Sequence, residues 1–164
     1  MNYKVKASEH RFKPRSLGLV FSKSVSKQIC FDYSCKYDLK TSDQMDLNKL
    51  FGVGYWPHHH KESARFCWRW NTDTEAMEIW AYVYSRGERM SQFVCQVKMG
   101  AFYNYRIYVE KGLYVFVVTD NKGFRCSKSV TVQKHMIMVG YKLGAYFGGN
   151  SPATHDMIII KSKG

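Results

Sequence analysis

A chain of 164 residues is long enough for one domain with a sizeable core of its own. Its residues are 45% apolar and 16% aromatic, a bias toward rings that favours strands over helices. The formal charge of +12 suits an anionic partner, but Lys and Arg are scattered with no run of five, which argues against a nucleic-acid footprint, and no 18-residue apolar run exists to cross a membrane.

In chain order, "MNYKVKASEHRFKPR" lacks the apolar stretch of a secretory signal, so the chain is expected to stay in the cytoplasm where it is made. "LGLVFS" (17–22) and "KQICFDY" (27–33) read as strands paired through the polar turn between them. "SDQMDLNKLF" (42–51) alone begins like a helix, with Ser42 or Asp43 as its cap. After Trp56-Pro57, the histidines His58, His59 and His60 read as a loop at a strand entry.

"ARFCWRW" (64–70) alternates strictly, with Phe66, Trp68 and Trp70 on one face and Arg65, Cys67 and Arg69 on the other. The turn formers of "NTDTEA" join it to "MEIWAYVYS" (77–85), which sends Glu78, Trp80, Tyr82 and Tyr84 one way and Ile79, Ala81 and Val83 the other. "RGER" (86–89) turns the chain into "SQFVCQVKM" (91–99). A hairpin follows at Lys111-Gly112, a turn at Asp120-Asn121-Lys122-Gly123, and then "HMIMVGYKLGAYFGG" (135–149) and "DMIIIKS" (156–162). The last run is apolar enough for a central strand, or for one that buries a face against another subunit. About a dozen such strands predict one all-β domain over 1–164, an antiparallel two-sheet sandwich or barrel with little helix.

Two constellations carry chemistry. The row Trp80, Tyr82, Tyr84 either packs as the sandwich core or forms an open platform for sugar rings. In the second case Arg65 and Arg69 on the neighbouring strand bind carboxylates bidentately. His58 and His60 share one side of an extended chain and His59 the other. A metal would need further ligands, and nothing brings His155 or Asp156 near. No metal centre and no cofactor are predicted, and the histidines read as exposed loop residues or a pH-sensitive intersubunit contact. The five cysteines, odd in number and without a CxxC pair, read as reduced. Gly148 and Gly149 suit a tight turn, with Asn150 as its cap.

"VKMGAFYNYRIYVEKGLYVFVV" (97–118) and "YKLGAYFGGN" (141–150) resemble strands of the concanavalin A-like jelly rolls, the group that holds legume-type lectins, laminarinases and alginate lyases. The resemblance covers roughly residues 77 to 160 and implies a jelly-roll sandwich. The lyases use a Gln-x-His pair, an Arg and a Tyr. Here "QFVCQVK" offers Gln92 and Gln96 with no His two positions after either, so the lyase set is incomplete. Tyr146 stands nearest the lyase Tyr at a one-residue offset, and Arg65 or Arg69 stands for the Arg. The laminarinase Glu-x-Asp-x-x-Glu is absent.

The ending "YFGGNSPATHDMIII" is similar to that of small jelly-roll proteins from gut bacteria and their phages. That likeness implies a non-enzymatic structural or decoration protein of a virus particle, assembled in the host cytoplasm. Its expected partners are virion proteins with acidic surfaces, in an oligomer or larger assembly, and glycans. A carbohydrate-binding module and an alginate-type lyase are the alternative readings.

Overall fold

The computed structural model describes residues 2–14, 18–22, 24–131 and 140–162. Twelve strands form two antiparallel six-stranded sheets. They are β1 (Asn2–Val5), β2 (Leu19–Val20), β3 (Ser24–Phe31), β4 (Asn48–Tyr55), β5 (Glu62–Asn71) and β6 (Ala76–Ser85), then β7 (Glu88–Val97), β8 (Phe102–Glu110), β9 (Leu113–Thr119), β10 (Arg125–Thr131), β11 (Gly140–Leu143) and β12 (Met157–Lys161). One sheet runs β1-β12-β3-β8-β9-β10 and the other β2-β11-β4-β5-β6-β7.

The alternation predicted for β5 holds. Phe66 and Trp68 are fully buried and Trp70 nearly so. Phe66 joins the sheets by packing edge-on against Phe116 (5.1 Å) and Tyr105 (5.3 Å), and Trp68 meets Phe31 at 5.3 Å. Across the ladder, Phe66 pairs with Ala81 and Trp68 with Ile79, so Ile79, Ala81 and Val83 are the buried side of β6. The row Trp80, Tyr82, Tyr84 therefore lies outside the core, which corrects the core alternative. Glu78 shares the ring face, and a carboxylate is not placed between two apolar sheets without partners.

The predicted turns also hold. Arg86-Gly87 and Lys111-Gly112 take positive φ at both central positions, the geometry that matches strand twist in two-residue hairpins. The Asn71 side chain accepts from the amides of Asp73 and Thr74, and Asp120 accepts from Lys122 and Phe124. The run 156–162 supplies β12, an interior strand with Met157 and Ile159 fully buried. It pairs with β1 from Asn2↔Ile160 to Val5↔Met157.

Two readings change. The runs at 17–22 and 27–33, of which Leu17 lies outside the described residues, supply strands of different sheets: β2 joins β11 in one, and β3 lies between β12 and β8 in the other. The helix-like start at 42–51 is a single 3-10 turn, Ser42–Met45, without a side-chain cap, and β4 begins at Asn48. Leu50 and Phe51 are needed in the core, and the Gln44 amide fastens the turn by donating to the carbonyls of Tyr37 and Trp70. Residues 135–139 of the run at 135–149 lie outside the described residues. All five cysteines are free, and four are buried.

Candidate functional site

The outer face of the second sheet carries a groove of about 540 Å3. Its floor is the β4–β5–β6 register. Gly52 lies opposite Arg65, and Arg65 opposite Tyr82. A side chain at Gly52 would collide with Ala64 and Arg65, and one at Gly54 with His59 and Tyr141. The two glycines thus leave the space that Arg65 and His59 occupy.

Arg65 is half-buried, its Nε is buried, and that atom makes no hydrogen bond among the described residues. Burial works against its charge, and the groups that act on it electrostatically are Cys67 and the tyrosines Tyr82, Tyr141 and Tyr84, with no carboxylate among them. Arginine keeps its proton under such conditions, so the groove holds a cation, and among the described residues no Asp or Glu lines the groove beside it. The Lys49 ammonium sits 5.4 Å from the Tyr82 ring centre, and Tyr82 meets Tyr84 edge-on at 5.7 Å. Burial first, and then Tyr84, push the Tyr82 hydroxyl up to about 12, so it stays protonated at neutral pH.

Tyr146 closes one wall. Its backbone bridges Lys49 in both directions (2.8 and 3.0 Å), and the His10 ring stacks on it at 5.2 Å. The turn behind it is held by Asn48, buried under the sheet, whose side chain accepts from the Gly148 amide and donates to the Tyr37 hydroxyl. Gly148 has a φ of 72°, as its place in a tight turn requires, but Asn48 and not Asn150 supplies the side-chain bond.

The histidine loop forms the opposite rim. Because the chain turns here, the three rings gather instead of alternating, with centroids 4.5 to 4.9 Å apart. His60 reaches the Tyr84 ring at 5.2 Å, and His59 Nδ1 lies 3.1 Å from the Tyr141 hydroxyl. Burial, with Arg65 and the neighbouring histidines, pulls His59 down to about 4. His60 is also lowered, by burial, His58, Arg65 and Lys49. Among the described residues no group of three or more His, Cys, Asp or Glu can hold a metal ion.

Of the six residues singled out in the sequence, Arg65, Tyr82, Tyr84 and Tyr146 line this groove. Arg69 and Trp80 do not. They surround Glu78, which accepts from Arg69 Nε (2.6 Å), Asn71 Nδ2 (2.8 Å) and Trp80 Nε1 (3.1 Å), while the Arg69 guanidinium lies 4.8 Å over the Trp80 ring. That cluster satisfies itself. Gln96 pairs with Glu78 and opens on a different cleft, beside Trp70 and Tyr33, away from Arg65 and Tyr146. Lys49 and Arg11 join the groove unannounced by the sequence, Lys49 because its segment reads as a helix start. Among the described residues no Asp or Glu lines the groove.

No protein-family model matches the chain, and no curated protein matches it in sequence. Solved structures do. The alginate lyase from Klebsiella pneumoniae is similar at 10% identity and a TM-score of 0.64, over 85% of this chain and 57% of that one, so the chain spans little more than half of that enzyme. The alginate lyase AlyC3 gives 13% and 0.65 over 99% of this chain and 72% of that one. The CBM2 module of the evolved Dit of Lactobacillus casei BL23 phage J-1 gives 12% and 0.57 over 96% and 71%. Identities this low speak for architecture alone, and the architecture shared with these structures is an all-β sandwich of two antiparallel sheets.

Proposed function

We propose that the chain is a binding module for an acidic polysaccharide, held in the groove over Arg65. The observation that carries this reading is a half-buried guanidinium walled by tyrosine rings, with Lys49 and His60 beside it and no carboxylate in the lining. Such a cation is stabilised by an incoming carboxylate or sulfate, which it can bind in two parallel hydrogen bonds. The faces of Tyr82, Tyr84 and Tyr146 suit the apolar side of a pyranose ring, and their hydroxyls suit its rim. The likeness to alginate lyases supports a uronate as the acidic sugar. A lyase reading would need a Gln beside Arg65, Tyr146 and a His; His59 and His60 line the groove, but neither Gln92 nor Gln96 does.

A second reading places this module on a phage particle, as a decoration protein that touches acidic virion proteins or host glycans. The phage Dit module supports it by fold, and the charge of +12 supports it by electrostatics. Purified particles analysed by mass spectrometry separate the two readings: the chain is found on the particle in the second only.

Affinity electrophoresis through gels containing sodium alginate or a neutral glucan tests the groove. The native protein is retarded by alginate only, and Arg65→Met weakens the interaction about tenfold or more, the worth of a charge-assisted bond. Unchanged retardation in the variant would overturn the assignment. So would a steady rise in ultraviolet absorbance of the alginate, the mark of a lyase.

A further inference from the structure

The opposite side of the sandwich carries a second groove, of about 670 Å3, on the outer face of the first sheet. Its rows follow from the ladder. Gln28 pairs with Asn104, Asn104 with Thr119, and Thr119 with Arg125, so four hydrogen-bonding side chains run across β3, β8, β9 and β10. In the next row Ser26 pairs with Arg106 and Arg106 with Val117. Cross-strand partners point to the same face, so this surface is set by the register.

Arg106, Arg125, Lys27 and Lys161 all line the groove, and among the described residues no Asp or Glu does. Arg106 and Arg125 are exposed, and the Arg106 guanidinium lies 5.2 Å over the Tyr108 ring. Among the described residues, the side chains of Gln28, Asn104, Thr119 and Arg125 are engaged in no hydrogen bond or ion pair. From strand spacing and rise, Arg106 and Arg125 stand about 10–12 Å apart along a diagonal of the sheet. That is a line of two charges with neutral donors and acceptors between them.

We propose that this groove is a second, separate site for an acidic polysaccharide, so that one chain engages glycan on both of its faces. The amides and hydroxyls suit sugar hydroxyls, and the two guanidinium groups suit carboxylates on separated residues of a polymer. A nucleic acid is the weaker fit, because of the two lining rings among the described residues Tyr105 is fully buried and Tyr108 already carries Arg106, which leaves no platform for stacked bases. An acidic protein is also weaker, since among the described residues none of the exposed large apolar side chains lines the groove to anchor such a contact. The proposal shares with the reading above only the ligand class. Two faces also carry a consequence that one does not: the module would cross-link polyuronate chains.

Calorimetric titration with a short uronate oligosaccharide, at physiological ionic strength, separates the two sites. The native protein binds two equivalents. Arg106→Ser combined with Arg125→Ser leaves one, and Arg65→Met leaves the other. Lys111→Asn with Lys128→Ser removes the same charge from exposed positions outside both grooves, and two equivalents remain. Two equivalents in the Arg106/Arg125 variant would overturn the second site, and so would loss of all binding in Arg65→Met, which leaves the first groove standing. A single equivalent that only the Arg106/Arg125 variant removes would overturn the first groove and keep the second. Equal weakening by the Lys111/Lys128 control would reduce both to general charge attraction.

Discussion

Gly52 faces Arg65 across the β4–β5 ladder, and a Cβ there would stand 2.7 Å from the Arg65 Cα and 2.9 Å from its Cγ. Both atoms belong to a strand fixed on its other side by β6. Gly52→Ala is therefore expected to cost roughly 1–3 kcal/mol, as overpacking does, and to tilt Arg65 out of the groove. Urea denaturation and alginate-gel retardation together check it. A variant with native stability and native retardation would show that the floor has slack.

Trp80 pairs with Cys67, one position from Trp68 on the adjoining strand, so the two rings lie on opposite faces. Trp68→Ala empties the centre of the core and is expected to cost about 3–5 kcal/mol. Trp80→Ala removes a half-exposed ring and one hydrogen bond to Glu78, so a loss nearer 1–2 kcal/mol is expected, with glycan binding at Arg65 almost unchanged. Equal losses in the two variants would contradict the assignment of faces.

Glu78 and Arg69 form a pair with side-chain exposures of 9% and 13%. Burial raises the Glu78 carboxyl, but hydrogen bonds from Asn71, Arg69 and Trp80 outweigh it and hold the group below its ordinary value of 4.5. Stability from this group is present above pH 4.5 and lost as pH falls through its folded value. Glu78→Gln should flatten that part of the acid limb. It should also lower neutral-pH stability by about 3–5 kcal/mol, because Arg69 keeps its charge without its partner. Thermal melts across the acid range measure both effects.

His59 acts in a different window. Its folded value near 4 lies below the ordinary 6.5, so the unfolded chain takes up a proton that the fold refuses. Stability is complete above about pH 6.5 and declines as pH falls toward 4. His59→Asn should shrink this decline to the part that His60, also lowered, contributes, while leaving the lower limb set by Glu78. If melts between pH 6.5 and 4 superimpose for the two proteins, the ring is not desolvated in solution.

Strand positions and faces were legible because alternation is a local property, as the buried Phe66, Trp68 and Trp70 show. Which side of β6 faces inward was harder, since both of its rows are apolar and alternation cannot tell in from out. Glu78 was the available signal: its parity matches the rings, and its carboxylate needs Arg69 and Asn71. Partnership between sheets was not legible. Residues 17–22 and 27–33 are close in sequence, but what separates them is pairing with β11 and β12, more than a hundred positions away. Lys49 was hidden for a related reason, because "SDQMDL" looks like a helix start, while the strand that follows is dictated by the core under Leu50 and Phe51. The gathering of the histidines depends on a turn, which side-chain type alone does not specify.

The β1–β12 ladder sets Asn2 directly beside Ile160. A fold whose two terminal strands lie side by side needs only a narrow gap in a host to be housed. It can be spliced into a surface loop of a larger protein, or have its ends fused and a new opening cut at the exposed Arg86-Gly87 turn, without unpairing either sheet. Such portability would let the same sandwich be displayed by unrelated carriers, with both grooves turned outward from the point of attachment.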